Sequence, residues 1–101
     1  MKNHRINSKK LGFLCAKLAS VEETSQMRSI LMDLCTEQEL EAMADRIWVV
    51  PLLQEGHSYR AIYEKTGVSV TTIGRVAQAI RKGQGGYHFL FPKYKDLQGK
   101  E

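Results

Sequence analysis

The chain is poor in the residues that cross-link or punctuate a fold. It has two cysteines and two prolines in 101 residues. Cys15 and Cys35 form no Cys-x-x-Cys pair, and no histidine stands at ligand spacing from them, so no metal site is expected. Both sit in apolar helical surroundings. They are therefore expected as buried free thiols, which suits a reducing compartment. No apolar run is long enough to span a bilayer, and the stretch 1–7 lacks the apolar core of a secretory signal. The expectation is a cytoplasmic protein with no membrane partner. Catalytic signals are also missing. His4, His57 and His88 are scattered, without partners at catalytic spacing. The neighbours His57 and Ser58 have no orienting acid and no glycine elbow. No nucleophile, metal set or phosphate loop is visible, so no catalytic residue, metal or cofactor is expected and the enzyme class recedes. No internal repeat, low-complexity tract or convincing strand is present.

Charge is present but unevenly placed. The net charge is +4. Residues 1–20 carry five Lys/Arg and no acid, residues 21–45 carry seven acids and one Arg, and residues 46–82 carry six basic residues and two acids. Two basic segments thus flank an acidic one, which reads as a solvated helix face. A basic segment that coincides with a compact helical motif fits contact with phosphates.

The periodicity of apolar residues predicts an all-α chain forming one domain over 1–101. Residues 1–8 read as a basic arm, 9–55 as dimerisation helices, 56–82 as a helix-turn-helix and 83–101 as a C-terminal segment and tail. Leu11, Leu14, Cys15 and Leu18 form one stripe over 9–19. Ser20 is placed to cap a helix starting near Val21, with Met27, Ile30, Leu31 and Leu34 on its inner side. Thr36 and Glu39 have the spacing of a capping box. Leu40, Met43, Ala44, Ile47 and Val50 follow as a stripe that Pro51 should kink or end. Trp48 falls off that stripe and is assigned to interface packing. The run Tyr87–Pro92, after the glycine-rich stop at 83–86, is short and strongly apolar and is expected to pack on the core or on a partner subunit.

The most informative stretch is 57–76. Ser58 can cap a first helix whose inner face starts at Ala61 and Ile62. Gly67 stands where a left-handed turn is needed. Ser69 can cap a second helix in which Ile73, Val76, Ala77 and Ile80 recur at i, i+3, i+4 and i+7. Thr71, Thr72, Arg75 and Gln78 lie opposite that stripe. From Val70 to Lys82 there is no acid, although a scaffold hairpin would usually carry acids on its solvent face. This is the pattern of a helix-turn-helix that lays its second helix in the major groove of double-stranded DNA. Val70, Thr71, Thr72 and Arg75 are the candidate base readers. Ser58, Tyr59, Arg60, Arg81 and Lys82 are the candidate phosphate contacts. The other reading is a helix-turn-helix scaffold used as a protein–protein interaction module.

A family likeness rests on the stretches 34–46 and 52–56, on Tyr59-Arg60-Ala61-Ile62, Thr66-Gly67-Val68-Ser69 and Thr72-Ile73-Gly74-Arg75-Val76, and on the terminal Gly83-Gln84-Gly85-Gly86-Tyr87. Over about residues 30–90 the chain resembles the tryptophan repressor superfamily, and within it the YerC/YecD type. The resemblance implies an all-helical bundle that forms an intertwined homodimer and acts as a transcriptional regulator, a repressor at the nucleoid. Dimer symmetry would then require a roughly palindromic operator. The family's repressor holds an aromatic amino acid between two arginines, which fall on Arg46 and Arg75, while a pocket threonine falls on Thr36. Val76 stands where tryptophan-binding members have glycine, and Ala79 replaces a serine that holds the ligand's amino group. Both changes argue against tryptophan. The expected effector, if there is one, is a different small molecule in a pocket of Thr36, Arg46, Arg75, Val76 and Ala79. Two other roles stand beside it: an ion pair of Arg46 with Glu39 or Asp45, and a plain phosphate contact by Arg75.

Overall fold

A computed structural model describes residues 6–92, and every regular element among them is helical: α1 (Ser8–Ala19), α2 (Thr24–Leu34), α3 (Glu37–Trp48), α4 (Val50–Gln54), α5 (Tyr59–Thr66), α6 (Val70–Lys82) and α7 (Gly86–Leu90). The chain divides into two compact units, Met1–Leu40 and Glu41–Glu101, and the division falls within α3. Residues 1–5 of the expected arm and the tail from residue 93 lie outside the described residues.

In the first unit, α1 begins where Asn7 turns its side chain onto the helix. Its Oδ1 accepts from the Lys9 N–H at 2.8 Å and from the Lys10 N–H at 3.2 Å, satisfying two orphan donors. The helix therefore starts at Ser8, inside the stretch expected to be an arm. Ser20 does not cap α2. Its backbone is helical, and its hydroxyl donates to the Lys17 carbonyl at 2.7 Å, closing α1 instead. An N-cap needs extended backbone, and Glu23 has it, so α2 starts at Thr24, later than expected. Neither α1 nor α2 contains a buried residue. Cys15 is exposed and Cys35 half-buried, both free, which corrects the expectation of buried thiols: nothing within this unit covers the apolar stripe of either helix.

The start of α3 follows the capping box. The Glu39 N–H donates to Thr36 Oγ1 at 3.1 Å, and the Thr36 N–H donates to Glu39 Oε1 at 2.8 Å. The stripe after it ends just before Pro51. That ring occupies the first turn of α4, where a missing N–H costs nothing, so the helix breaks at Val49 and restarts. The break turns Val49 and Val50 fully inward, and Leu53 follows them into the core. Gly56 ends α4 with φ 92°. The His57 N–H reaches the Leu52 carbonyl at 3.1 Å and the Gly56 N–H reaches the Leu53 carbonyl at 3.0 Å, the paired bonds of a Schellman stop. Ile62 of α5, Val68 of the following turn, and Ile73, Val76, Ala77 and Ile80 of α6 complete the buried cluster. Each such side chain contributes roughly 1.5–3 kcal/mol of burial, Ala77 less.

The C-terminal segment is a short helix rather than an irregular run. Gly85, at φ 82°, precedes α7. His88 Nε2 lies 3.2 Å from the Ile80 carbonyl oxygen, tying α7 to α6. Tyr87 and Phe91 pack against the core, as expected, whereas Phe89 is 85% exposed.

Candidate nucleic-acid interface and adjoining cavity

Two capped helices and one left-handed residue build the motif. Ser58 Oγ accepts from the Ala61 N–H at 3.1 Å and starts α5. Gly67, at φ 81°, closes α5 by donating its N–H to the Tyr63 carbonyl at 2.8 Å. Thr66 steadies the turn: its hydroxyl donates to the Ile62 carbonyl at 2.7 Å and accepts from the Val68 N–H at 3.1 Å. Val68 is buried under the turn. Ser69 Oγ then accepts from the Thr72 N–H at 3.1 Å and opens α6.

A helix advances about 100° per residue, which sorts α6 into faces. Ile73, Val76, Ala77 and Ile80 are buried. Thr71, Arg75, Gln78 and Lys82 lie opposite them, all exposed. On one flank Gly74 faces α5, and a Cβ built on it would lie 3.8 Å from the Tyr59 ring. The structure thus places Tyr59 half-buried against the core, with its ring on Gly74. On the other flank are Thr72 and Ala79, both half-buried. The Thr72 hydroxyl is within 3.1 Å of Ser69 Oγ. Of the expected base readers, Val70, Thr71 and Arg75 are exposed, and Thr72 stands at the edge between the outward face and the flank.

Four of the five expected phosphate contacts are open to solvent. Ser58, Arg60, Arg81 and Lys82 are exposed. Arg60 Nε lies 3.3 Å from Glu64 Oε2, a pair one helical turn apart with both partners well exposed. Such a pair is worth only about 0.3–0.5 kcal/mol and leaves the guanidinium free to exchange partners.

The Thr72 flank opens onto a cavity of about 270 Å³ lined by Arg46, Thr72, Arg75, Val76, Ala79 and Tyr87. Four of the five residues assigned to an effector pocket, Arg46, Arg75, Val76 and Ala79, therefore line one cavity. Thr36 belongs to the first unit, where its hydroxyl and N–H are engaged in the capping box. Within its own unit Arg46 has no ion pair among the described residues, Asp45 included. A second cavity, of about 430 Å³, shares Arg46, Ala79 and Tyr87 and adds Met43, Ile47 and Leu90. Sequence reasoning missed Tyr87 and the apolar side chains of this second chamber. Tyr87 was legible only as a packing aromatic, because nothing local tells that α7 folds back beside Arg46. No group of histidine, cysteine or carboxylate side chains among the described residues could hold a metal ion, and no helix among them is long and apolar enough to cross a membrane.

Comparison with known proteins gives two findings. Residues 9–95 match the model of the family described as Trp repressor protein. The chain is also similar to the uncharacterized protein YerC of Bacillus subtilis (strain 168), with 29% identity over 98 residues, covering 97% of this chain and 94% of that protein. No solved structure matches the chain.

Proposed function

The chain belongs to the Trp repressor family, a family of DNA-binding regulators, and from that premise we propose that it is a sequence-specific double-stranded DNA-binding transcriptional regulator acting as a homodimer in the cytoplasm, on the nucleoid. The observation that carries this reading is the outward face of α6: Thr71, Arg75, Gln78 and Lys82 exposed on a capped helix with no acid between Val70 and Lys82. Val70, Thr71, Thr72 and Arg75 read base edges: the threonines meet thymine methyls and base acceptors, and Arg75 reaches guanine or phosphate. Ser58, Tyr59, Arg60, Arg81 and Lys82 hold the backbone. The exposed apolar side chains of α1 and α2 are a surface that a second copy covers. Arg46, Arg75, Val76 and Ala79 form the site of an effector other than tryptophan.

The test is selection of bound sequences from a random double-stranded DNA pool at near-physiological, stated salt. An enriched palindrome with half-sites about 10 bp apart supports the dimeric regulator. Weak, salt-sensitive binding without enrichment overturns it. That outcome favours the second reading, a helix-turn-helix scaffold that binds protein partners, for which the exposed Trp48 and Phe89 are the supporting observation.

A further inference from the structure

Between residues 46 and 82 the chain has two acids, Glu55 and Glu64, and each stands beside a base. Glu64 is paired with Arg60, and an arginine is charged at every physiological pH. Glu55 is paired with His57, whose Nε2 lies 3.4 Å from Oε1, and histidine is the side chain that gains and loses its charge between about pH 5 and 8. The two pairs are therefore not equivalent. The place of His57 is fixed by its backbone. Its N–H donates to the Leu52 carbonyl at 3.1 Å just after the left-handed Gly56, and the next residue, Ser58, caps α5. The His57 side chain is 32% exposed and that of Glu55 50%, so both reach solvent beside the residues proposed to hold the DNA backbone. α4 packs on α5 and α6. Of the charges those helices carry, Arg60, Glu64 and Lys65 on α5 and Arg75, Arg81 and Lys82 on α6, none forms an ion pair with His57. The phenols of α5 are Tyr59 and Tyr63.

A carboxylate only accepts, so a neutral imidazole beside Glu55 keeps its hydrogen on Nε2 and leaves a lone pair on Nδ1. A phosphate oxygen also only accepts, and that nitrogen cannot bond it. Protonation turns Nδ1 into a donor and gives Glu55 a full counter-charge. We infer that His57 is a proton-gated contact to the DNA backbone: protonated, it neutralises Glu55 and donates Nδ1–H to a phosphate beside Ser58, and neutral, it leaves that phosphate facing a lone pair and a bare carboxylate. The chain extends at most about 3.6 Å per residue, so Glu55 lies within about 11 Å of Ser58, comparable with the screening length at physiological salt, and its charge is felt there. Binding then takes up a proton, so affinity rises as pH falls. The inference rests on the reading of α5 and α6 as a DNA-binding motif but not on sequence specificity, because phosphate contacts carry no sequence information.

The test is fluorescence anisotropy of the full chain with a labelled mixed-sequence duplex at about pH 5.5 and about pH 8, at one fixed ionic strength. The parent is expected to bind about threefold to tenfold more tightly at the lower pH. His57→Gln should lose most of that difference and bind at the lower pH as the parent does at the higher. His57→Lys, which carries a permanent charge over this range, should bind at about pH 8 as tightly as the parent does at about pH 5.5. His4 and His88 are present in all three proteins, so any slope of theirs cancels in the comparison. Thermal unfolding of each protein is measured at both pH values. A role confined to the turn would weaken both variants by the same factor at both pH values, and that result overturns the inference. An unchanged pH slope in His57→Gln overturns the inference alone. Failure of the parent to bind at either pH overturns the inference and the DNA reading together.

Discussion

Gly74→Ala should stabilise the protein, although the glycine sits inside the helix proposed to read DNA. A glycine between two packed helices is commonly assumed to be there because a side chain would not fit. Here the structure argues otherwise. Gly74 lies in the fifth position of α6 and is not among the positive-φ glycines. A Cβ at this position would meet one atom, Cε2 of Tyr59, at 3.8 Å, an ordinary van der Waals contact. The methyl therefore adds contact without displacing backbone. Glycine in a helix interior is about 0.8–1.0 kcal/mol less favourable than alanine, largely because the unfolded chain loses more freedom. The expected gain is about 0.4–1 kcal/mol. For a chain of this length each kcal/mol moves the thermal midpoint by about 4–8 °C. The assay is urea unfolding at one fixed protein concentration, since oligomerisation makes apparent stability concentration-dependent. The midpoint should rise with an unchanged m-value. A fall in the midpoint would refute the reasoning, because it would mean that Tyr59 lies closer to α6 than the 3.8 Å separation allows.

Gly83→Ala should act in the opposite direction: a Cβ there would lie 2.5 Å from the Ala79 carbonyl oxygen, which is backbone and cannot swing aside, so the end of α6 must shift and the unfolding midpoint must drop. Ser69→Ala removes the hydroxyl that accepts from the Thr72 N–H and should cost about 0.5–2 kcal/mol in chemical denaturation. Ile73→Ala, which empties a fully buried site, should cost about 2–5 kcal/mol by the same measurement. On a selected DNA site, Lys82→Ala should weaken binding to all sequences and reduce the salt slope by about one. Thr71→Ala should instead relax preference at one base pair by roughly 1–3 kcal/mol. Competition binding with matched and mismatched duplexes separates the two, and identical behaviour of both variants would remove the division between reading and holding.

The parts of the fold that follow from short-range chemistry were legible. Ser58, Gly67 and Ser69 announce their helix ends because each solves a local backbone problem: an orphan amide or a left-handed turn. The Thr36–Glu39 box and the buried stripe of Ile73, Val76, Ala77 and Ile80 are legible for the same reason. Ser20 misled because a serine hydroxyl closes a helix end as readily as it opens one. What decides between the two is the backbone of its neighbours, here the extended Glu23. The stripes of α1 and α2 were read correctly as apolar, but their burial was not, since burial depends on what covers a helix and not on the helix itself. The cavity was half legible. Arg46 and Arg75 were marked by the family resemblance, whereas their meeting at one cavity is a matter of tertiary packing that no local signal carries. Tyr87 and the chamber beyond it depend on α7 folding back at Gly85, a long-range event that the four-residue stop at 83–86 permits but does not direct.

Arg75 is the residue on which the two proposed activities meet. It is exposed on the outward face of α6 and also lines the smaller cavity, while Thr72 borders both. One guanidinium has one fork. If an effector held beside Arg46 takes that fork, a guanine edge or a phosphate cannot take it in the same geometry, and effector and DNA oppose each other. If the effector instead occupies one side of the fork and holds Arg75 extended toward the groove, they assist each other. Linkage makes the choice measurable in either direction, because whatever factor the ligand imposes on DNA affinity, DNA must impose on ligand affinity. A neutral outcome also carries information. It would require the effector to be held without Arg75, and then Arg75→Gln would spare the effector while still weakening DNA. The architecture of α6, with one face in the core, one outward and one on a cavity, makes Arg75 the side chain through which an effector in that cavity would be coupled to DNA.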